Sequence, residues 1–135
     1  MLEDFVEANS VPAEFIKKAL SVNVVRCVLL VPVEEHKQPV LCVFMAGKRL
    51  SLERIEEAAG FKLRAVGEKE AFRITGYEQE FLPPVSIYGV RVLVDPGVLD
   101  KRFVNAIVGE GLTLRIESSA ILEFNDDSVS CKITE

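Results

Sequence analysis

The run Thr75-Gly76-Tyr77-Glu78-Gln79-Glu80-Phe81-Leu82-Pro83-Pro84 is the part of this 135-residue chain best suited to chemistry. Pro83 and Pro84 stiffen the backbone and remove two amide donors, so the amides of Phe81 and Leu82 are held in a fixed direction. Such amides can bind a carbonyl oxygen with no side chain taking part. From Tyr77 to Tyr88 the sequence has neither a helical nor a strand period, and loops of about twelve residues without their own structure are often functional. A ligand clamp and a proline-braced surface turn are the two readings.

Arg26 is the second candidate. It interrupts the apolar run Val24-Val25-Arg26-Cys27-Val28-Leu29, where a charge needs either an open cleft or a partner such as Asp95 or Glu80. Other chemistries are poorly served. His36 is the only histidine and lies in a polar turn, which argues against a His-dependent triad or a multi-histidine metal site. Cys27, Cys42 and Cys131 are odd in number, lie in apolar runs and lack Cys-x-x-Cys spacing, so they read as reduced core residues. No cofactor or metal is expected.

The elements that must position these residues are short. Leu2 to Ala8 predicts a helix, and Ser10 with Pro12 predicts the start of a second one carrying Phe15, Ile16, Ala19 and Leu20. Val24 to Val31 and Val40 to Met45 read as two buried strands of a hairpin. Ser51 caps a helix that Gly60 ends, Leu63 to Val66 is strand-like, and Glu68 to Ile74 is helical until Gly76. Strands follow at Val90 to Val94, Phe103 to Val108 and Leu112 to Ile116, with a bend at Gly109 and Gly111 and a helical turn from Ser118. Asn125 to Glu135 predicts a final hairpin strand. The fold class is therefore α+β, a mixed, strongly curved β-sheet (partial barrel) with several short helices, in a single domain over 1–135.

Composition sets the limits. The chain is 49% apolar with a net charge of −5, which disfavours a general nucleic-acid binder. Its bases are unevenly spread: Lys48 to Arg73 holds seven against five acids, a local excess that helix-surface pairing would also explain. The acidic opening at Glu3, Asp4 and Glu7 and the lack of a long apolar stretch lead to the expectation of a soluble, cytoplasmic protein without a membrane partner.

The order Thr-Gly-aromatic, proline loop, Val-Arg-Val-Leu-Val-Asp strand and Val108-Gly109-Glu110-Gly111 resembles the YbaK/ProX family of aminoacyl-tRNA editing (deacylase) domains, related to the editing insertion of prolyl-tRNA synthetases. The likeness spans roughly Ser10 to Leu122, with a shortened N-terminus. It implies a trans-acting deacylase that removes a small wrong amino acid, Ala or Cys, from tRNA, with tRNA(Pro) as the expected carrier. It implies catalysis without metal: loop amides position the ester and water attacks, helped by the terminal ribose hydroxyl. Arg26 stands where the family has a lysine, making it the implied catalytic residue. Gly76, Glu80, Phe81, Leu82, Pro83, Pro84, Gly109 and Gly111 are the implied substrate-binding set, with Glu80 at the family's glycine and Pro84 at its proline. Lys48 and Arg49 match the basic turn and are the implied tRNA-binding pair. Partners implied are the aminoacylated 3′ end and prolyl-tRNA synthetase; a homodimer is a further arrangement. Asp95, ending its strand, reads as a structural cap of the next turn. The competing functions are a catalytically inactive module of the same fold that binds the tRNA end, an aminoacyl ligand or a protein, and an oligomeric scaffold using the C-terminal strand as an edge.

Overall fold

The computed structural model describes residues 1–135. Helix α1 (Leu2–Ala8) precedes β1 (Ala13–Ile16), β2 (Val24–Pro32) and β3 (Val40–Met45); α2 (Leu52–Ala59), β4 (Leu63–Ala65) and α3 (Glu68–Thr75) follow. A 3-10 turn (Gln79–Phe81) leads to β5 (Arg91–Val94), α4 (Pro96–Leu99), β6 (Phe103–Gly109), β7 (Leu112–Glu117), α5 (Ser118–Glu123) and β8 (Ser128–Ser130). The eight strands form one curled, mixed sheet in the order β1-β7-β6-β2-β3-β5-β8, with β4 pairing β2. The fold is the expected α+β arrangement of a curved sheet with short helices.

The apolar runs exist because β2 and β3 are covered on both faces. Along β3, Leu41 and Val43 enter the larger core, while Val40, Cys42 and Phe44 join Ile55 of α2 in a smaller one. They form the expected hairpin, antiparallel, with a register that sets Arg26 opposite Phe44 and Cys27 opposite Val43. The cap of α2 is also as read: Ser51 Oγ accepts the amide of Arg54 at 3.2 Å, and Gly60 takes the left-handed conformation at φ 87°.

Three local expectations are corrected. Residues 13–16 are not helical but form edge strand β1, pairing Ala13 with Ile116 and Phe15 with Leu114 of β7. Ser10 does not cap a helix; it bends the chain at φ 52°, and Pro12 O accepts the Glu117 amide at 3.1 Å. The backbone of β7 thus outweighs a weak helical spacing. The C-terminal segment is no hairpin strand: β8 runs parallel to β5, reached through α5, pairing Val92 with Ser128.

Asp95 is structural and stands at the N-cap of α4, where its backbone carbonyl accepts the Val98 amide at 3.0 Å, but its carboxylate makes no cap bond. Its buried Oδ1 accepts from Ile133 N at 2.9 Å, Thr134 N at 3.2 Å and Thr134 Oγ1 at 3.1 Å, fastening the chain end under β5. No helix is long and apolar enough to cross a membrane.

Candidate active site

The site begins with an interruption in the sheet. On one edge of β2, the parallel strand β6 accompanies only Val24 and Val25, opposite Asn105 and Ala106. On the same strand β4 pairs with Leu30, Val31 and Pro32. Between them, Arg26 to Leu29 pair with β3 alone. Where β6 parts from β2, a cleft of about 220 Å³ opens, lined by Val24, Val25, Arg26, Cys27, Glu80, Leu82, Ala106 and Ile107.

The loop after α3 closes the other side, and its anchoring is read from its residues. Gly76 ends α3 in the left-handed region at φ 78°, and its amide donates to Phe72 O at 2.7 Å. Thr75 Oγ1 donates to Ala71 O at 2.8 Å and accepts the Tyr77 amide at 3.0 Å. Gln79 Nε2 donates to Val66 O at 2.8 Å, and Asn125 Nδ2 holds Pro84 O at 2.9 Å. Tyr77 Oη lies 2.7 Å from Ser86 Oγ. Burial pushes the Tyr77 phenol up, partly offset by Ser86, so it stays neutral at physiological pH.

This loop is not a surface turn: Leu82 to Ile87 are all buried, with Leu82, Val85 and Ile87 in the larger core. The Phe81 amide is consumed by Glu78 O at 2.9 Å, which removes one of the two expected donors. Leu82, which lines the cleft, follows directly on the 3-10 turn.

Arg26 is exposed, and its guanidinium lies 5.8 Å from the centre of the Phe44 ring. Arg49, Arg64, Arg73, Arg91, Arg102 and Arg115 are ion-paired; Arg26 and Arg54 are not, and of these two only Arg26 lines the cleft. Asp95 is committed to the chain end, and Glu80 borders the cleft without bonding Arg26. A guanidinium and a carboxylate thus line one small cleft, each unpartnered. Burial, and then the neighbouring Cys42, push the Cys27 thiol up to about 12, so it is no thiolate nucleophile near neutral pH. No group of three His, Cys, Asp or Glu side chains is placed to hold a metal ion.

The remaining sequence-derived residues are spread wider. Pro83 and Pro84 are buried behind Leu82. Gly76 serves as the helix stop, and a Cβ there would meet Met1 Cε at 3.2 Å. Gly109 and Gly111 sit at the β6–β7 turn, Gly109 beside a register shift and Gly111 at φ 64°; neither lines the cleft. Lys48 and Arg49 follow β3 at the end where β2 begins, since the Ala46 amide donates to Val24 O at 2.8 Å. Arg49 Nε lies 3.5 Å from Glu135 Oε2. Ala106 and Ile107 escaped sequence reasoning; the only available signal was a small residue within an apolar strand.

The same architecture occurs in solved structures. A hypothetical protein superposes with a TM-score of 0.84 at 18% identity, covering 99% of each chain. A candidate trans-editing enzyme for prolyl tRNA synthetase gives 0.74 at 18% identity, over 100% of this chain and 80% of the other. A candidate signal transduction protein from Marinobacter aquaeolei gives 0.75 at 20%, over 98% of this chain and 30% of that one. At these identities the likeness shows the fold. The model of the aminoacyl-tRNA editing domain matches residues 1–124, and the chain belongs to that family, whose members act on aminoacylated tRNA. No curated protein matches it by sequence.

Proposed function

We propose that this single domain hydrolyses, in trans, the ester joining a small wrong amino acid, alanine or cysteine, to tRNA(Pro). The observation that carries the reading is the pair of unpartnered opposite charges, Arg26 and Glu80, lining one cleft of about 220 Å³. Arg26 holds a phosphate or ribose oxygen of the tRNA end through its planar fork, and Glu80 receives the α-ammonium of the aminoacyl group. Leu82, Val25 and Ala106 form an apolar wall that limits the side chain to a small one. The backbone of Leu82, beside the cleft, supplies the amide that polarises the ester carbonyl. Water then adds to that carbon, the ester C–O bond breaks, and the ribose oxygen leaves with a proton, giving free amino acid and uncharged tRNA. Arginine does not exchange protons near neutral pH, so Arg26 positions and stabilises charge, while the neighbouring ribose hydroxyl handles the proton. Lys48 and Arg49, at the end of the sheet where Arg26 lies, meet the acceptor-stem backbone. A cytoplasmic setting, with prolyl-tRNA synthetase as the source of mischarged tRNA, completes the reading, and the uncovered edges of β1 and β8 suit a homodimer.

The test is release of labelled amino acid from Ala-, Cys- and Ser-charged tRNA(Pro), with Pro-tRNA as the control. Hydrolysis of one mischarged species alone supports the proposal. A second reading, a binding module that has lost catalysis, is favoured by the fixed protonation of Arg26. Salt-dependent tRNA binding without hydrolysis would establish it.

A further inference from the structure

Glu80 borders two hollows. Besides the Arg26 cleft it lines a groove of about 470 Å³ with Glu68, Lys69, Phe72, Glu78 and Gln79. The groove's one apolar side chain, Phe72, is 56% exposed on α3, whose Ala71 and Thr75 face the interior. A helix needs no phenyl ring at such a position, because a charged residue would serve the fold as well. Lys69, Glu68, Glu78 and Glu80 form none of the structure's ion pairs; Arg73 and Arg64 are instead tied to Glu70.

We propose that this groove holds an unpaired cytosine preceding the terminal nucleotide of the RNA, stacked on Phe72, while the aminoacyl ester occupies the adjoining cleft. The inference rests on the deacylase reading of the Arg26 cleft. Three features select the occupant. A flat aromatic face beside a cleft that takes a strand's end is the means by which unstacked bases are held. Three carboxylates repel phosphate but accept N–H donors, so a base edge enters the groove and the backbone stays outside, near Lys69. Cytosine presents an exocyclic amino group that a glutamate accepts, whereas uracil presents a carbonyl oxygen at the same place. Glu80, shared by both hollows, places the base next to the esterified nucleotide.

The experiment measures binding of the RNA 5′-ACCA-3′ and of 5′-AUUA-3′ to the wild-type protein and to Phe72→Ala, Phe72→Leu and Phe72→Trp, together with deacylation of charged tRNA by each. The expected result is a loss of roughly tenfold or more in ACCA affinity for Phe72→Ala and Phe72→Leu, retention in Phe72→Trp, and a wild-type preference for ACCA over AUUA that the first two variants lack. Because Phe72 is exposed, all three variants fold, which their circular dichroism spectra check. Unchanged ACCA affinity in Phe72→Ala, with deacylation intact, overturns the groove and leaves the cleft standing. A wild-type protein that neither binds nor deacylates charged tRNA overturns both.

Discussion

Replacing Arg26 by alanine separates a working arginine from a structural one. The side chain is exposed, belongs to no ion pair and lies 5.8 Å from the centre of the Phe44 ring. That contact is worth about 0.5–1 kcal/mol at an exposed site, so Arg26→Ala lowers the unfolding free energy by no more than about 1 kcal/mol. In a domain of this size the melting temperature falls by roughly 4 °C or less. The functional loss is larger. A charge-assisted hydrogen bond to a phosphate or ester oxygen contributes about 1.5–3 kcal/mol, which converts to a fall of roughly 10- to 150-fold in kcat/KM. Arg26→Lys keeps the charge but not the fork, and recovers part of that loss. Single-turnover deacylation of the mischarged tRNA and urea unfolding of the same preparations give both numbers. Unchanged kcat/KM in Arg26→Ala would remove the residue from the mechanism. A destabilisation of about 3 kcal/mol or more would make it a structural arginine whose partners the exposed geometry does not reveal.

Glu80→Gln removes the proposed ammonium acceptor while keeping the shape of the side chain. It reduces turnover by about tenfold or more with free α-amines and leaves N-acetylated aminoacyl-tRNA unaffected; equal loss on both substrates would count against the assignment. Asp95→Ala strips one acceptor from three buried donors and costs about 3 kcal/mol or more, with Asp95→Asn milder; a urea midpoint within 1 kcal/mol of wild type would refute the tether. The Cys42 thiol is pushed up to about 12 by burial and then by Cys131, against 9.0 in the unfolded chain. Stability linked to it is whole below pH 9 and is lost as pH rises toward 12. At pH 10 the wild type has lost roughly 1 kcal/mol that Cys42→Ala does not lose, and parallel pH-stability curves for the two would contradict this.

What local pattern carries, the sequence disclosed. Ser51 and Gly60 bracket α2 because a hydroxyl cap and a left-handed glycine are recognised within a few residues. The β2–β3 runs were legible because burial on both faces leaves an unbroken apolar string. Phe15, Ile16, Ala19 and Leu20 misled because their spacing suits a helix, while the partner that makes residues 13–16 a strand lies about a hundred positions away in β7. The parallel pairing of β8 with β5 is equally non-local. Phe72 was readable only by orienting α3 on Ala71 and Thr75, which turns position 72 outward.

The site inherits this division. Its loop was visible because prolines and a helix-stopping glycine are local signals, and Arg26 was visible because a charge in an apolar strand contradicts its neighbours. The physical reason for that contradiction lies elsewhere in the chain: β6 leaves β2 after Val25, β4 joins only at Leu30, and the strand between them loses cover on one edge. Position 26 faces solvent there, where an arginine is hydrated and an apolar residue would be left exposed. A lone charge inside a buried strand therefore marks a fork in the sheet. The wall opposite it, Ala106 and Ile107, is set by pairing between distant segments and leaves no mark in its own sequence.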